Sequence, residues 1–376
     1  MLQAYPDQAS KYLFSDDKTN DKPFGYLFLN LLLIDIRSSA PMLLEQLNSP
    51  EYQTTSLRLA SAFDIICIFI GHLVRSLEDE TLESMIMPPD SLLKLRKGIS
   101  ETLSVTMEFL RDRWDASVAG AMGLHPDART GKAETSMGSR HTLGWDSMKN
   151  PAEEDPLTLA GIRALALWLR EDENDQLRME ATGLMDMFMD LYRQSGSVKP
   201  SSGGLDYRSP ILVGLEGLMG IDEAREILLK HDGWKTLSQD VIATMQTAPD
   251  ALRAEDVSRG IDATRILLDV VEQESAGVVE EWMNLITTVA AWDPPTEHPE
   301  PQSLQTAAAE AQELYIAVLQ LCCAILHGAA PGMRARYKHS ISAIAGITKQ
   351  LGSNSSQPLK ESIQEIQDTL ASIRIN

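Results

Sequence analysis

The residues of this sequence best suited to nucleophilic chemistry are its three cysteines, Cys67, Cys322 and Cys323. A cysteine nucleophile needs a base within hydrogen-bonding reach to form its thiolate. The histidine nearest to Cys67 is His72, and five positions along one predicted helix turn the two side chains roughly 140 degrees apart. We therefore expect Cys67 to be a buried core thiol and not half of a catalytic pair.

The other candidate acids and bases have structural interpretations. His231 stands at a predicted helix end, where it is expected to cap the last carbonyl groups. The carboxylate runs 78–80 and 171–173 are predicted to be solvated helix ends. The sequence contains no phosphate-binding glycine motif, no zinc-protease motif, no nucleophile elbow and no calcium-loop spacing. We expect no catalytic residues, no cofactor and no metal.

Basic residues are scarce in this chain, and one predicted helix carries a candidate surface for protein partners. Its members are cationic side chains and an adjoining tryptophan: Lys94, Arg96, Lys97, Arg111, Arg113 and Trp114. Arginine and tryptophan are common interface anchors because they combine a large contact area with directional polar groups. Asp112 and Asp115 support a second interpretation, in which the arginines form internal ion pairs and Trp114 packs between helices.

A methionine-rich segment allows two interpretations of the same kind. Met179, Met185, Met187 and Met189 fall within one predicted helix. Flexible thioether side chains suit a groove that binds partners, and they also fill irregular gaps in a core. The core interpretation is favoured.

Helices must position all of these residues. Leu314, Val318, Leu321 and Ile325 recur at the spacing of one helix face, and period-two alternation bounded by turn residues is hard to find. A second apolar stripe is predicted to comprise Val257, Ile261, Thr264, Leu268 and Val271. The fold class is therefore predicted to be all-α, with helices near 24–36, 38–47, 54–77, 90–113, 156–171, 174–194, 210–219, 222–231, 234–246, 255–273, 277–291, 303–327, 334–351 and 358–374.

Helix starts and loops divide the chain. Asp155-Pro156 and Ser209-Pro210 each place a capping side chain before a proline, which predicts two helix starts. Residues 125–155 are rich in turn formers and predict a flexible loop, in which Trp145 is expected to contact the body of the protein or a partner. Shorter loops are predicted over 196–209 and 293–301.

These segments predict a domain organisation of stacked layers. We expect N-terminal helical layers over 1–124, the flexible loop over 125–155, and C-terminal layers of the same superhelix over 156–376. Many helices joined by short turns must stack to bury their apolar stripes, as in armadillo and HEAT repeats. Compact bundles are the alternative, because no clean repeat period is visible.

Composition limits the classes of function. The 376-residue chain is 43% hydrophobic, 6% aromatic and has a formal net charge of -21. The apolar content excludes wholesale disorder, and the charge disfavours binding to nucleic acid or anionic membranes. The most apolar stretch, 63–70, is short and contains Asp64, so it is expected to be a buried helix that does not insert into a membrane. Reduced thiols and the absence of a secretion signal favour the cytoplasm or nucleus.

Several long segments resemble the neurochondrin family. They are 89–97 (PDSLLKLRK), 109–121 (FLRDRWDASVAGA), 123–126 (GLHP), 154–156 (EDP) and 162–172 (IRALALWLRED). The similarity extends from about Gln53 to Lys235. The resemblance implies an armadillo-like superhelix in the cytoplasm without known catalytic activity, and adaptors that contact receptors and kinases. Animal members are longer, so this chain is expected to be a shorter relative or a fragment.

The leading hypothesis is a non-catalytic scaffold or adaptor in cytoplasmic signalling, which presents a superhelical groove to a peptide or helical segment of a partner. The alternative is a folding or exchange factor that holds an unstable signalling protein. A third hypothesis is a hydrolase or transferase whose site includes Cys67, His72, Cys322, Cys323 or His327.

Overall fold

The structure is a computed structural model. It describes residues 13–14, 24–47, 49–78, 87–119, 151–197, 204–248, 251–274, 277–294, 302–354 and 357–375.

Every regular element in these described residues is helical, which confirms the all-α prediction. The α-helices are α1 (Phe24–Leu43), α2 (Pro50–Glu78), α3 (Pro89–Ala119), α4 (Pro156–Glu171), α5 (Asp175–Thr182), α6 (Met185–Ser197), α7 (Arg208–Leu218), α8 (Asp222–Lys230), α9 (Gly233–Gln246), α10 (Ala254–Gln273), α11 (Met283–Ala290), α12 (Gln302–Gly328), α13 (Pro331–Arg336), α14 (Lys338–Asn354) and α15 (Gln357–Ile375). Short 3-10 turns occupy Leu44–Gln46, Ala152–Glu154 and Glu280–Trp282.

Several predicted helix boundaries differ from the structure, and the single helix predicted over 334–351 is divided into α13 and α14. The break expected near residue 37 is absent, since α1 continues to Leu43; within it the Ser38 hydroxyl donates to the Asp35 carbonyl and the Ser39 hydroxyl donates to the Asp35 side chain. The single helix predicted over 174–194 is instead divided into α5 and α6 by a turn at Gly183, whose amide donates to the carbonyl of Glu180. The turn therefore redirects the chain between these two helices.

The helix start predicted at Asp155-Pro156 is confirmed. Asp155 caps α4 by accepting a hydrogen bond from the Leu157 amide, and Pro156 occupies the first helical turn. The start predicted at Ser209-Pro210 agrees with the structure to within two residues, since α7 begins at Arg208 and Pro210 lies in its first turn, but the side chain of the preceding residue, Tyr207, does not cap this helix. The Tyr207 amide, just before the helix, donates to the Ser195 hydroxyl at 3.1 Å.

The chain divides into two compact units, Met1–Ala224 and Arg225–Asn376. In the N-terminal unit α1 packs against α2 and α3, α2 packs against α4, and α4 packs against α7. The apolar faces of this unit are thus buried mainly between helices that are separated by one or more elements along the chain.

Gly217 allows α7 to approach α4 closely. A Cβ atom at this position would lie 2.6 Å from the carbonyl oxygen of Leu169, which is closer than such atoms can approach. The obstacle is backbone and cannot move aside as a flexible side chain would. A side chain at position 217 would therefore force α4 and α7 apart.

In the C-terminal unit α10 packs against α9 and α12, while α12 also packs against α15. The predicted stripe of α12 is confirmed, since Leu314, Val318, Leu321 and Ile325 are all completely buried. Trp234 of α9 and Trp282 stack with ring centroids 4.4 Å apart. These contacts place the core of this unit around α10 and α12.

The apolar stripe predicted for α10 is shifted. Ile261 and Leu268 are only half-buried, whereas Gly260, Leu267 and Val270 are buried. The shift arises because α10 contacts helices on two sides and buries a wider face. That face includes the side chain of Arg259, which is 8% exposed and pairs with Asp240 and Asp256.

The predicted loops fall largely outside the described residues. Of 125–155, the described part is 151–155, with a 3-10 turn at Ala152–Glu154; Trp145 lies outside. Residues 198–203 of the loop predicted over 196–209 and residues 295–301 of the loop predicted over 293–301 also lie outside the described residues. The ends of the longest gap are joined, because the Ala152 amide donates to the Ser117 hydroxyl at 3.1 Å. The division at 125–155 stays a prediction.

By length and composition alone, three stretches of the described chain could cross a membrane: Phe24–Gln46, Pro50–Ser76 and Glu310–Gly328. The expectation that the apolar residues 63–70 are too few to cross a membrane is therefore wrong about length. They belong to a longer apolar segment of 27 residues. The prediction of a buried helix is confirmed for one face of this stretch, whereas Ile65, Cys67 and Ile68 are half-buried. Ile66, Phe69 and Ile70 are each at most 2% exposed.

Candidate functional site

A groove lies between α3 and the segment that joins α4 to α5, all within the N-terminal unit. It has a volume of about 580 Å³. The wall formed by α3 comprises Leu93, Arg96, Lys97, Ser100, Glu101, Ser104 and Val105. The opposite wall comprises Asp172, Asn174, Gln176, Leu177 and Glu180.

The spacing along α3 explains its wall. Residues three or four apart share one face of a helix, so Leu93, Lys97 and Glu101 form one row and Arg96, Ser100 and Ser104 form the next. The apolar face of the same helix is buried. The helix begins at Pro89, which suits a first helical position.

The opposite wall is formed by a helix end and a helix start. Asp172 terminates α4, and its amide donates to the carbonyl of Trp168 at 2.8 Å. Asn174 caps α5, because its side-chain oxygen accepts from the Leu177 amide at 3.2 Å. Leu177 points into the protein and is 4% exposed. The chain thus turns from α4 to α5 along the groove.

Arg96 and Asp172 join the two walls. The Nε and Nη2 atoms of Arg96 donate to one oxygen of Asp172 at 2.9 and 2.6 Å. The guanidinium is 57% exposed, whereas the Asp172 side chain is 7% exposed. The second carboxylate oxygen of Asp172 is buried and accepts no hydrogen bond within the described structure. The expectation that the run 171–173 is entirely solvated is therefore wrong for Asp172.

A second connection crosses the groove between Ser104 and Glu180. The hydroxyl of Ser104 donates to Glu180 at 2.7 Å, and the amide of Gln176 donates to the other oxygen at 3.2 Å. Glu101, at the rim, accepts from Arg37 at 2.6 Å and lies 3.8 Å from the Lys97 ammonium. The groove walls are thus held by polar contacts at two points.

The predicted partner-binding residues separate into two groups. Arg96 and Lys97 line the groove, and Lys94 is exposed on the same helix. The Lys97 side chain is 80% exposed. Leu93, which the sequence analysis did not single out, lies beside them with 62% of its surface exposed. For these cationic residues a role in partner binding stays a prediction.

Arg111 lies further along α3 and anchors the turn between α5 and α6. Its Nη1 donates to the carbonyl of Gly183 at 3.2 Å and to Asp186 at 2.5 Å, while Nε donates to Asp115 at 3.2 Å. Despite partial burial, the carboxylates of Asp186 and Asp115 raise the pKa of the guanidinium. The internal ion-pair interpretation describes this residue.

Arg113 and Trp114 are buried, at 0% and 5% exposed, so an exposed partner surface at these two positions is wrong in this structure. Arg113 Nε lies 3.3 Å from Asp155 and 3.2 Å from the hydroxyl of Tyr52, which itself donates to Asp155. Burial of a charge requires such pairing. We call Tyr52, Arg113, Asp155 and Tyr207 the buried polar junction.

Tyr207 completes the buried polar junction. Its hydroxyl lies 3.2 Å from the Ala152 carbonyl and 3.3 Å from that of Asp155. Desolvation is the main reason that the pKa values of Tyr52 and Tyr207 are raised, with the Asp155 charge adding to it. The junction ties α2, α3, α4 and α7 together and has a structural role. A sequence signal for it existed only at Asp155, the predicted cap.

The candidate nucleophiles are desolvated thiols. Burial raises the pKa of Cys67 to about 12 and that of Cys323 to about 12, and it also raises the pKa of Cys322. His72 contacts the ring of Phe14, with centroids 6.1 Å apart. Among the described residues no cluster of histidine, cysteine, aspartate and glutamate side chains could hold a metal ion.

Three of the four methionines singled out in the sequence are buried, and one is exposed. Met185, Met187 and Met189 are completely buried in α6, so they fill the core. Met179 in α5 is 43% exposed.

The helix end at His231 is capped by the backbone, because its amide and that of Asp232 donate to the carbonyls of Ile227 and Leu229.

Comparison with known proteins identifies the family. The Neurochondrin family model matches residues 1–292, which is more than three-quarters of the chain. The chain belongs to the neurochondrin family. The neurochondrin match extends beyond 53–235, the range over which the resemblance was recognised in the sequence, and it includes both α1 and the groove.

A curated protein is also similar to this chain. An uncharacterized protein of Schizosaccharomyces pombe is 24% identical over 220 residues, which is 58% of this chain. The match spans about a third of that relative's length, at 33%. No solved structure matches the chain. Membership of the neurochondrin family therefore rests on sequence similarity.

Proposed function

We propose that this neurochondrin-family chain is a non-catalytic protein-binding scaffold, an adaptor in cytoplasmic signalling whose helices stack as an armadillo-like solenoid. The groove between α3 and α5 is the observation that carries the proposal. It presents Leu93 as an exposed apolar contact beside the charged side chains of Arg96 and Lys97. A peptide or helical segment of a partner protein would bind there.

The chemistry of the groove supports binding more than catalysis. Its lining contains no histidine or cysteine. The Ser100 hydroxyl donates to the Arg96 carbonyl, and the Ser104 hydroxyl donates to the carboxylate of Glu180, which is a weaker base than the histidine that commonly activates a serine nucleophile. The thiols elsewhere are held in their protonated form by burial, which makes them poor nucleophiles at neutral pH.

The charges that line the groove favour a partner segment that carries both positive and negative side chains. The groove has two cations, Arg96 and Lys97, and three carboxylates, Glu101, Asp172 and Glu180. An apolar side chain of the partner would contact Leu93. Flanking polar residues would then pair with the rim, where exposed charges contribute to specificity and association rate more than to affinity.

Affinity purification with variants of the full chain tests the groove. Leu93→Asp combined with Lys97→Glu changes two exposed side chains, so the fold should persist. The matched control is Val118→Asp on the same helix, where the side chain is 70% exposed and lies outside the groove. Partners recovered from cytosol with wild type and control should be lost with the groove variant. Equal recovery with all three proteins would overturn the proposal.

The packing of helices that lie near one another along the chain supports a solenoid arrangement. α1 packs on α3, α2 on α4 and α4 on α7 in the N-terminal unit, as layers of a solenoid do. Small-angle X-ray scattering tests the arrangement, because a compact domain of this length has a radius of gyration of about 21 Å. A solenoid should give a clearly larger value, and a value near that of the compact domain would contradict it.

A further inference from the structure

The outward face of α1 carries a row of exposed apolar side chains. Phe24, Leu27, Leu31 and Ile34 are 63%, 42%, 63% and 46% exposed. They are three, four and three positions apart, which is the a and d spacing of a coiled-coil seam. We call these four residues the α1 seam. Met42, at 41% exposed, lies near its C-terminal end.

The opposite face of α1 carries a second row of apolar side chains, and this row is buried against other helices. Leu29, Leu33, Ile36, Ala40 and Leu43 are at most 4% exposed and pack inside the N-terminal unit, chiefly toward α3. Leu13 and Phe14, described ahead of the helix, lie on that inner side, where the backbone of both is close to Gly25. The α1 seam therefore has helix-pairing geometry without a helix packed on it in the described structure.

We infer that the α1 seam binds the α1 seam of a second copy of this chain, forming a two-fold symmetric dimer. A row of leucine, isoleucine and phenylalanine at coiled-coil spacing is complementary to itself, because knobs of one copy fit between those of the other. The inference does not depend on the groove between α3 and α5, which involves other helices.

The distribution of charge favours the α1 seam as the surface for self-association. The chain has a formal net charge of -21, so copies repel each other over most of their surface. The charged residues of α1, Asp35 and Arg37, are each neutralised internally, by Arg58 at 2.9 Å and by Glu101 at 2.6 Å. The seam is thus an uncharged row through which two acidic copies can approach. It offers no carboxylate that would select a basic partner instead.

The size of the seam sets the expected strength. From Phe24 to Met42 the helix extends about 27 Å, and a stable dimer interface needs about 800 Å² from each partner. One helix of this length supplies less than that area. The dimer should therefore be weak and its population should depend on concentration.

Sedimentation equilibrium of the full chain over a wide concentration range tests the inference. The mass should rise from that of a monomer to twice that value. Leu31→Asp should hold the mass at the monomer value throughout. The matched control is Val118→Asp, which introduces the same charge at an exposed apolar residue outside both the α1 seam and the groove, 70% against 63% exposed, and should leave dimerisation unchanged.

A second variant separates dimer loss from misfolding. Leu31→Lys introduces the opposite charge and should also abolish the dimer, while circular dichroism reports whether either variant keeps its helices. Three results would overturn the inference: a monomer at every concentration, a dimer that persists with folded Leu31→Asp, or a wild-type monomer that instead cosediments with neutral phosphatidylcholine vesicles.

Discussion

Arg113 and Asp155 form an ion pair from which solvent is excluded, with side chains 0% and 4% exposed and 3.3 Å between Nε and Oδ2. The pair joins the end of α3 to the start of α4. Tyr52 and Tyr207 supply neutral partners around it. A buried arginine placed among helix ends in this way makes the position of each helix depend on one carboxylate.

Asp155→Ala should destabilise the protein by about 3–5 kcal/mol, because it leaves the Arg113 charge buried without its counter-ion. Urea denaturation followed by circular dichroism measures the loss. The control is Asp190→Ala, which removes an ion pair with Arg193 whose side chains are 45% and 41% exposed. Exposed pairs contribute about 0–1 kcal/mol. Equal losses in both variants would contradict a special role for the junction.

Gly217→Ala should destabilise the N-terminal unit by about 1–3 kcal/mol, the usual cost of overpacking. The new methyl group would meet the Leu169 carbonyl at 2.6 Å. Gly196→Ala is the control, since a Cβ atom there meets nothing within 4 Å. Thermal unfolding should show a lower midpoint for the first variant and an unchanged or higher midpoint for the second. A neutral Gly217→Ala would mean that α4 and α7 separate easily.

The Asp256 carboxylate should make stability depend on acid pH. Hydrogen bonds from Arg253 are the main cause that lowers its pKa to about 2, below the ordinary 3.8. A carboxylate whose pKa is lower in the folded state stabilises that state above the ordinary pKa, and the contribution disappears as pH falls through about 2.

Urea midpoints of wild type and Asp256→Asn should therefore differ at pH 5 and converge as the pH is lowered toward 2. Glu255→Gln, at a neighbouring side chain that is 84% exposed, should follow the wild type across this range. A constant difference between wild type and Asp256→Asn would show that the charge of Asp256 does not contribute.

The three cysteines should react slowly with Ellman's reagent at pH 8. A thiol with a pKa near 12, as at Cys67 and Cys323, has roughly a thousandfold less thiolate than an ordinary cysteine. All three should react quickly once the protein is unfolded in urea. A single fast thiol in the native protein would revive a nucleophilic function, and Cys67→Ser would show whether it is that residue.

Local periodicity predicted the apolar stripe of one long helix correctly. In α12 the spacing of Leu314, Val318, Leu321 and Ile325 identified the buried face, because an amphipathic stripe records the direction of the core. The same method misplaced the stripe of α10. There the buried face includes Arg259, whose partner Asp240 belongs to the preceding helix.

Only some residues of the candidate site could be predicted from the sequence. Its cations, Arg96 and Lys97, stood out because basic residues are scarce. Asp172, the partner of Arg96, is 76 positions away, and no local pattern relates the two residues. Burial of Arg113 was equally hidden, since a helix containing Arg111, Arg113 and Trp114 has the same spacing whether those residues face solvent or another helix.

The hydrogen bond between Ser117 and Ala152 bears on how this family can vary in length. It joins the C-terminal part of α3 to the turn before α4, and the nearby Arg113–Asp155 pair joins the same two elements. The helices on either side are thus positioned without reference to the number of residues between them. Relatives should therefore tolerate insertions and deletions between these two elements.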